Sequence, residues 1–199
     1  MVPFRSEIYI LVAVIYFAFC FAMSSIQSKP ESVCRAAVID RRKMKIGVIS
    51  DTHGLLRPEA EQQLNGVAHI VHAGDIGKPD IIDRLGLIAP VTAIRGNVDR
   101  DLWAEAYPET TTVTLAGCRI HVLHDLQALQ LDPASAGIDA VISGHSHQAR
   151  IETRQGVLYL NPGSAGPRRF KLPITLAILE ITPGGLKPIL HDLGSASRP

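Results

Sequence analysis

Five short stretches of this 199-residue chain set imidazoles, carboxylates and an amide where a strand-like apolar run gives way to a loop. They are Ser50-Asp51-Thr52-His53, Ala73-Gly74-Asp75, Arg95-Gly96-Asn97-Val98-Asp99, His124-Asp125 and Gly144-His145-Ser146-His147. Taken singly, each reads as an ordinary turn. Asp and Asn beside Gly bond their own backbone, Asp caps helices, and a lone His is more often a satisfied polar residue than a ligand. Taken together they supply two to three carboxylates, an amide and four imidazoles. Few stable arrangements use such a set other than a metal site. The donors are oxygen and nitrogen with no thiolate, which suits Mn, Fe, Zn or Ni and argues against a structural zinc site built on Cys.

Those donors can meet only if the elements between them bring five loops to one edge. Lys45 to Ser50 is a short β-branched run, followed by a helix that Pro58 opens and Asn65-Gly66 stops after Leu64. Val67 to Val71 reads as a second strand, Asp80 to Leu85 as a helix behind Pro79, and Val91 to Ile94 as a third strand. This βαβαβ order predicts a mainly parallel sheet, and in such sheets ligands gather where strands run out into loops. After Pro108 the pattern changes to a hairpin, Thr110 to Leu115 and Arg119 to Leu123 around Ala116-Gly117. Ala140 to Ile142, Ala149 to Thr153, Val157 to Leu160 and Ile174 to Ile181 continue as strands, which form or complete a second sheet. Residues 44–199 are therefore expected to be one α/β domain.

The first 43 residues belong to a different regime. Ile8 to Met23 carry no charge, and sixteen helical residues reach roughly 24 Å, short of a ~30 Å hydrocarbon core. Three readings stand open: a membrane anchor, a signal peptide with Arg5 in front and Ala22 and Ser24 at cleavage spacing, or upstream sequence before a start at Met44. Of 20 basic and 19 acidic residues, this segment holds six and three, so 14 and 16 remain and the formal charge from Met44 onward is −2. No basic stripe with interleaved aromatics accompanies that balance, so a nucleic-acid-binding module is disfavoured. Cys20, Cys34 and Cys118 share no pairing or metal spacing and read as buried or incidental thiols.

The ordered set Asp51-x-His53, Gly74-Asp75, Gly96-Asn97-x-Asp99, His124 and Gly144-His145-x-His147 resembles the signature of calcineurin-like metallophosphoesterases. The opening Met44-Lys45-Ile46-Gly47-Val48-Ile49-Ser50-Asp51-Thr52-His53-Gly54, with Val71-His72-Ala73-Gly74-Asp75 and Asn161-Pro162-Gly163-Ser164, is similar to small bacterial and archaeal YfcE-like phosphodiesterases. The resemblance spans nearly all of 44–199 and none of 1–43. It implies an αββα sandwich of two packed mixed β-sheets holding two divalent ions, with Mn the first choice and Ni, Fe, Zn or Mg the alternatives. By the same resemblance Asp51, His53, Asp75 and His147 hold one ion, while Asp75, Asn97, His124 and His145 hold the second and Asp75 bridges. The implied reaction is in-line hydrolysis of a small phosphate ester, most simply a diester, by a hydroxide shared between the ions.

Two positions depart from the superfamily. Val98 stands where larger members carry a His able to act on the leaving oxygen, which leaves the general acid unassigned, and Asp125 follows His124 where many relatives have Gly and a second His. Beyond the ligands, His72 is expected beneath the site, Asp99 as a ligand-orienting group or a turn cap, and Asn161 and Ser164 near the site. Arg168, with Arg169 and Lys171, is a candidate to meet phosphate, weighed against a solvated surface. His69, His121 and His191 read as structural. A competing function is a protein-binding scaffold like the retromer subunit that shares this fold. The domain is expected in the cytoplasm, since the family-like sequence begins at Met44, and if the apolar run spans a membrane Lys29, Arg35, Arg41, Arg42 and Lys43 behind it, against Arg5 in front, keep that flank inside. A retained anchor would add membrane contact, and a cleaved signal would export the protein. The physiological ester and homo-oligomerisation are open at this level.

Overall fold

The computed structural model describes residues 43–169 and 171–194. Its first strand shows how the layers arise. In β1 (Met44–Ile49) successive side chains leave on opposite faces, so Ile46 and Val48 enter one core while Ile49 enters another. Gly47 faces the same side as Ile49, and a Cβ there would lie 2.2 Å from Leu64 Cδ2. Its missing side chain lets α1 (Pro58–Leu64) lie directly on the strand. Pro58 starts α1 at a position whose N–H has no intrahelical partner anyway. Ala60 and Leu64 turn inward from α1, as do Ile81 and Leu85 from α2 (Asp80–Gly86). Complete burial of each Leu or Ile contributes about 1.5–3 kcal/mol.

The first sheet has the order β10-β9-β1-β2-β3, with β2 (His69–Ala73) and β3 (Val91–Ile94) parallel to β1. β9 (Thr175–Thr182) returns antiparallel to β1, and β10 (Gly185–Asp192) pairs antiparallel with β9. The second sheet has the order β4-β5-β6-β8-β7, from β4 (Thr110–Leu115), β5 (Cys118–Leu123), β6 (Ala140–Ile142), β7 (Arg150–Arg154) and β8 (Val157–Asn161). Both sheets are mixed, as expected, but the late strands divide between them: β6 to β8 build the second, and β9 and β10 complete the first. Ala116 and Gly117 both have positive φ in a two-residue turn, which matches the twist of the β4–β5 hairpin.

Ile46, Val48, Val71, Ile120, Val122, Ile142, Leu160 and Leu179 interlock between the sheets, and Cys118 is buried among them. The helices cover the outer face of the first sheet. The outer face of the second is covered thinly, by Leu126, Leu129, Leu131 and Ala134 over Leu123, Val141 and Val157, from a loop with a short 3-10 turn at Leu126–Ala128. Cys20, Cys34 and every expectation about residues 1–42 lie outside the described residues. Among the described residues no helix is long and apolar enough to cross a membrane.

Candidate metal centre

The parallel strands β1, β2 and β3 end on the same side, and the loops after them carry the first three of the five stretches. Asp51, His53 and Asp75 do so on left-handed backbone, with φ of 54°, 47° and 54°. His145 (66°) and His147 (57°) share that conformation after β6. Side chains other than glycine rarely adopt it, and each instance costs on the order of 1–3 kcal/mol unless its surroundings impose it. Five of the seven expected ligands are therefore held in a conformation that local preference opposes.

What imposes it is a set of buried hydrogen bonds. Asp99 accepts three backbone N–H groups, Gly96 (2.8 Å) and Ile76 (3.0 Å) on Oδ2 and Gly77 (2.8 Å) on Oδ1, which ties the β2 and β3 loops together. It is a loop clamp, with both oxygens turned to the backbone. His72 is fully buried; its Nδ1 accepts the Gly74 N–H (3.3 Å), so its Nε2–H donates to Thr52 Oγ1 (3.0 Å). Thr52 in turn donates to the Ile76 carbonyl (2.9 Å), and this chain fastens the residue between Asp51 and His53. Burial pushes the His72 imidazole down to about 3, so it stays neutral.

The Asn161 loop grips the other side. Asn161 Nδ2 donates to the Gly144 carbonyl (2.6 Å) and Ser146 Oγ (3.1 Å), while its Oδ1 accepts from Gly163 N–H (2.9 Å). Ser164 Oγ donates to the Asp51 carbonyl (3.0 Å). The Ser50 hydroxyl lies 2.7 Å from Asp51 Oδ2 and 2.8 Å from the Gly163 carbonyl, with one proton to offer between them. Sequence reasoning did not single out Ser50 or Thr52, whose signal amounts to adjacency to Asp51.

The donor atoms converge in two groups, Asp51 with His53 and His147, and Asp51 with Asp75 and His124. Within them His147 Nε2 is 3.2 Å from Asp51 Oδ1, His124 Nε2 is 3.3 Å from Asp75 Oδ2, and the Nε2 atoms of His53 and His147 are 3.3 Å apart. His53 Nε2 is 3.8 Å from Asp75 Oδ2, so one carboxylate oxygen faces imidazoles of both groups. Gly96 makes room for it: a Cβ there would lie 2.1 Å from Asp75 Oδ1, which accepts Val98 N–H (3.1 Å). Asn97 and His145 sit at the exposed rim, joined to each other by His145 Nδ1 and Asn97 Oδ1 (3.0 Å), and the His145 ring lies 5.2 Å from that of His124. They neighbour the second group at its His124 side.

Three buried atoms of this cluster have no hydrogen-bond partner: Asp51 Oδ1, His124 Nε2 and His147 Nδ1. Leaving such groups unpaired costs about 1–3 kcal/mol each. His124 Nδ1 donates to the Ala73 carbonyl (2.8 Å); burial lowers this imidazole, but Asp75 and the Ala73 bond outweigh it and hold it above its ordinary range. Burial lifts the Asp51 carboxyl to about 6, against the lowering pull of Ser50 and His124. Burial pushes His147 down to about 4, helped by the Arg169 charge, and pushes His53 down as well. For Asp75 burial raises the carboxyl, but the His124 hydrogen bond and charge outweigh it and hold it below the usual range. Burial thus lifts the Asp51 acid and lowers the His53 and His147 imidazoles, and a converging set of carboxylate oxygens and imidazole nitrogens of this kind fits a divalent cation.

Of the basic candidates, Arg168 turns toward Gly194, whose added Cβ would lie 2.9 Å from its guanidinium. Arg169 is the residue that reaches the cluster, with a guanidinium nitrogen 3.4 Å from His53 Nε2. His69 pairs with Thr92 and His121 with Thr112 across neighbouring strands, away from the cluster.

Comparison with known proteins agrees with this architecture. Residues 44–184 match the model of the calcineurin-like phosphoesterase superfamily domain. A probable metallophosphoesterase of Methanothermobacter thermautotrophicus is 36% identical over 147 residues, 68% of this chain and 85% of that protein. The solved structure of an archaeal phosphodiesterase is similar at a TM-score of 0.63 and 25% identity, covering 74% of this chain and 100% of that one. The structure of Vps29 from Entamoeba histolytica complexed with zinc is similar at a TM-score of 0.59 and 23% identity, over 76% and 100%, a likeness of fold. With the family model over most of its described length and donors converging where the strands end, the chain belongs to the calcineurin-like phosphoesterase superfamily.

Proposed function

We propose that this domain is a divalent-metal-dependent phosphodiesterase. The observation that carries the reading is a converging set of Asp and His donors, with Asp51 Oδ1 and His124 Nε2 buried and unpaired, on a backbone clamped against its local preference. Asp51, His53 and His147 would hold one ion and Asp75 and His124 the second, with Asn97 and His145 able to join it from the rim and Asp75 facing both. When bound, two divalent ions supply Lewis acidity to phosphate oxygens and to a water nucleophile. Mn is the first choice for an all oxygen and nitrogen set, with Ni, Fe, Zn or Mg as alternatives.

The chain's own residues do the rest. His53 and His147 stay neutral and offer lone pairs at neutral pH. Asp99, His72 and Asn161 fix the loops, so the donors need no reorganisation when an ester arrives. Two clefts meet at His145 and Asp125. One of about 300 Å³ runs along Arg95, Asn97 and His124, and one of about 610 Å³ runs along Gly144, Ser146 and Arg150. A diester has two substituents to house beside its phosphate, and two clefts on either side of His145 suit it better than a monoester. The phosphodiesterase named among the similar structures supports the same choice.

The protein-contact scaffold is the second reading, and the likeness to Vps29 fits it. Because that Vps29 was solved with zinc, metal binding alone does not separate the two; turnover does. Purified protein is expected to hydrolyse bis(p-nitrophenyl) phosphate with added Mn and to stop with chelator. Tight binding of Mn without turnover on any mono- or diester would favour the scaffold. The substrate is read as a small phosphate ester and the location as the cytoplasm, which fractionation of the native host tests.

A further inference from the structure

Arg169 is unlike the other arginines of the described structure. Arg84 pairs with Glu61, Arg95 with Glu109, and Arg150 and Arg154 with Glu152. Arg57, Arg100 and Arg119 donate to backbone carbonyls, and Arg168 turns toward Gly194. The polar contact of the Arg169 guanidinium is His53 Nε2, one of the donor atoms of the centre. Among the described residues no carboxylate lies within ion-pair distance of it.

Its position is built rather than incidental. The loop that carries it is fastened to the ligand-bearing segment at its base: Ser164 Oγ donates to the Asp51 carbonyl and Ala165 N–H to the Ser50 carbonyl (3.1 Å). A Cβ on Gly166 would lie 2.3 Å from the Thr52 carbonyl oxygen, so the two backbones touch, and Arg57 Nε holds the Gly166 carbonyl (3.2 Å). Three residues further on, the guanidinium stands at the partly exposed side of His53. With an ion present the His53 Nε2 lone pair is committed, and a guanidinium beside a divalent cation is repelled unless an anion lies between them.

We propose that Arg169 binds the non-bridging oxygens of the substrate and product phosphate from the His53 side of the centre. This rests on the metallophosphoesterase reading. Guanidinium donors match phosphate oxygens in a planar fork, and a charge-assisted hydrogen bond of this kind corresponds to about ten- to hundredfold in affinity. The extra charge matters most for a dianion, so inorganic phosphate is the sharper probe and a monoanionic diester the weaker one.

The test is calorimetric titration of inorganic phosphate into Mn-loaded wild type, Arg169→Ala and Arg169→Lys, beside Mn affinity and diester kinetics. Arg169→Ala is expected to weaken phosphate binding by about ten- to hundredfold, with Mn affinity within about twofold of wild type. Arg169→Lys should recover part of the loss, and KM for the diester should rise less than the phosphate Kd. Equal phosphate affinity in wild type and Arg169→Ala overturns the assignment, as does loss of Mn binding in the variant or absence of phosphate binding by the wild type. Wild-type protein that binds phosphate through Arg169 yet hydrolyses no ester would sink the phosphodiesterase reading and leave this one standing.

Discussion

Among the described residues, left-handed backbone on residues other than glycine occurs in two kinds of place, and they are built in opposite ways. At the β4–β5 and β7–β8 turns it falls on Ala116-Gly117 and Gln155-Gly156, where a non-glycine is followed by a glycine and nothing is clamped. At the strand ends it falls on Asp51, His53, Asp75, His145 and His147, five of the seven residues proposed to bind metal. Strain at the turns is the ordinary cost of reversing a chain. At the strand ends it is imposed by Asp99, His72, Asn161 and Ser164, and what it delivers is donor atoms aimed at one point.

The largest expected effect separates the two regions by activity. Asp75→Ala and His147→Ala should each lower kcat/KM for a chromogenic diester by about a thousandfold or more, since each removes a ligand worth several kcal/mol of charge stabilisation. Gln155→Ala, equally left-handed, should leave kcat/KM unchanged. Comparable losses at Gln155 would mean that turn geometry in general, and not donor chemistry, sustains activity.

A smaller effect sharpens the account of what clamps the site. The His72 pKa is about 3 in the folded protein against 6.5 for the free imidazole, so the unfolded chain binds the proton more readily. Stability contributed by neutral His72 is present above pH 6.5 and is lost as pH falls toward 3, about 2 kcal/mol of it between pH 7.5 and pH 5. Urea midpoints measured without metal should follow that slope in the wild type and flatten in His72→Gln. An unchanged slope would remove His72 from the clamp.

The smallest effect concerns the backbone itself. At φ 57° a glycine at position 147 should give a metal-free protein about 1 kcal/mol more stable than an alanine there, because both lack the imidazole and only the alanine bears the left-handed penalty. The same difference is expected between glycine and alanine at Gln155, φ 49°. Alanine equal to glycine at 147 alone would show that the strand-end loop relaxes when its ligand is gone.

Much of this was legible in the sequence because it is local. Pro58 and Asn65 bracket α1, Ala116-Gly117 fixes a hairpin, and the Gly-bearing tails after β1, β2 and β3 hold the donors. What escaped depends on contacts between distant residues. β10 carries Pro188 and no clear alternation, which a strand tolerates at a sheet edge, and the edge position exists only because β9 pairs with β1. Ser50 and Thr52 look like filler until Gly163 and His72 arrive beside them. Adjacent arginines give no hint that Arg169 and not Arg168 turns inward, since that is decided by how the loop lies on Thr52 and Gly194.

The pairing of β1 with β9 has a temporal consequence. Val48 finds its antiparallel neighbour at Ala177, so the strand that leads to Asp51 remains a sheet edge until nearly the whole domain has left the ribosome. The centre follows the same schedule, since the Asp51 carbonyl waits for Ser164 and the Gly144 carbonyl for Asn161. Pairings this far apart in sequence fold slowly, on the ms–s scale of β-rich topologies. During synthesis the earliest donors, Asp51 and His53, therefore wait for the stretch from Asn161 to Ser164 before the contacts that aim them can form.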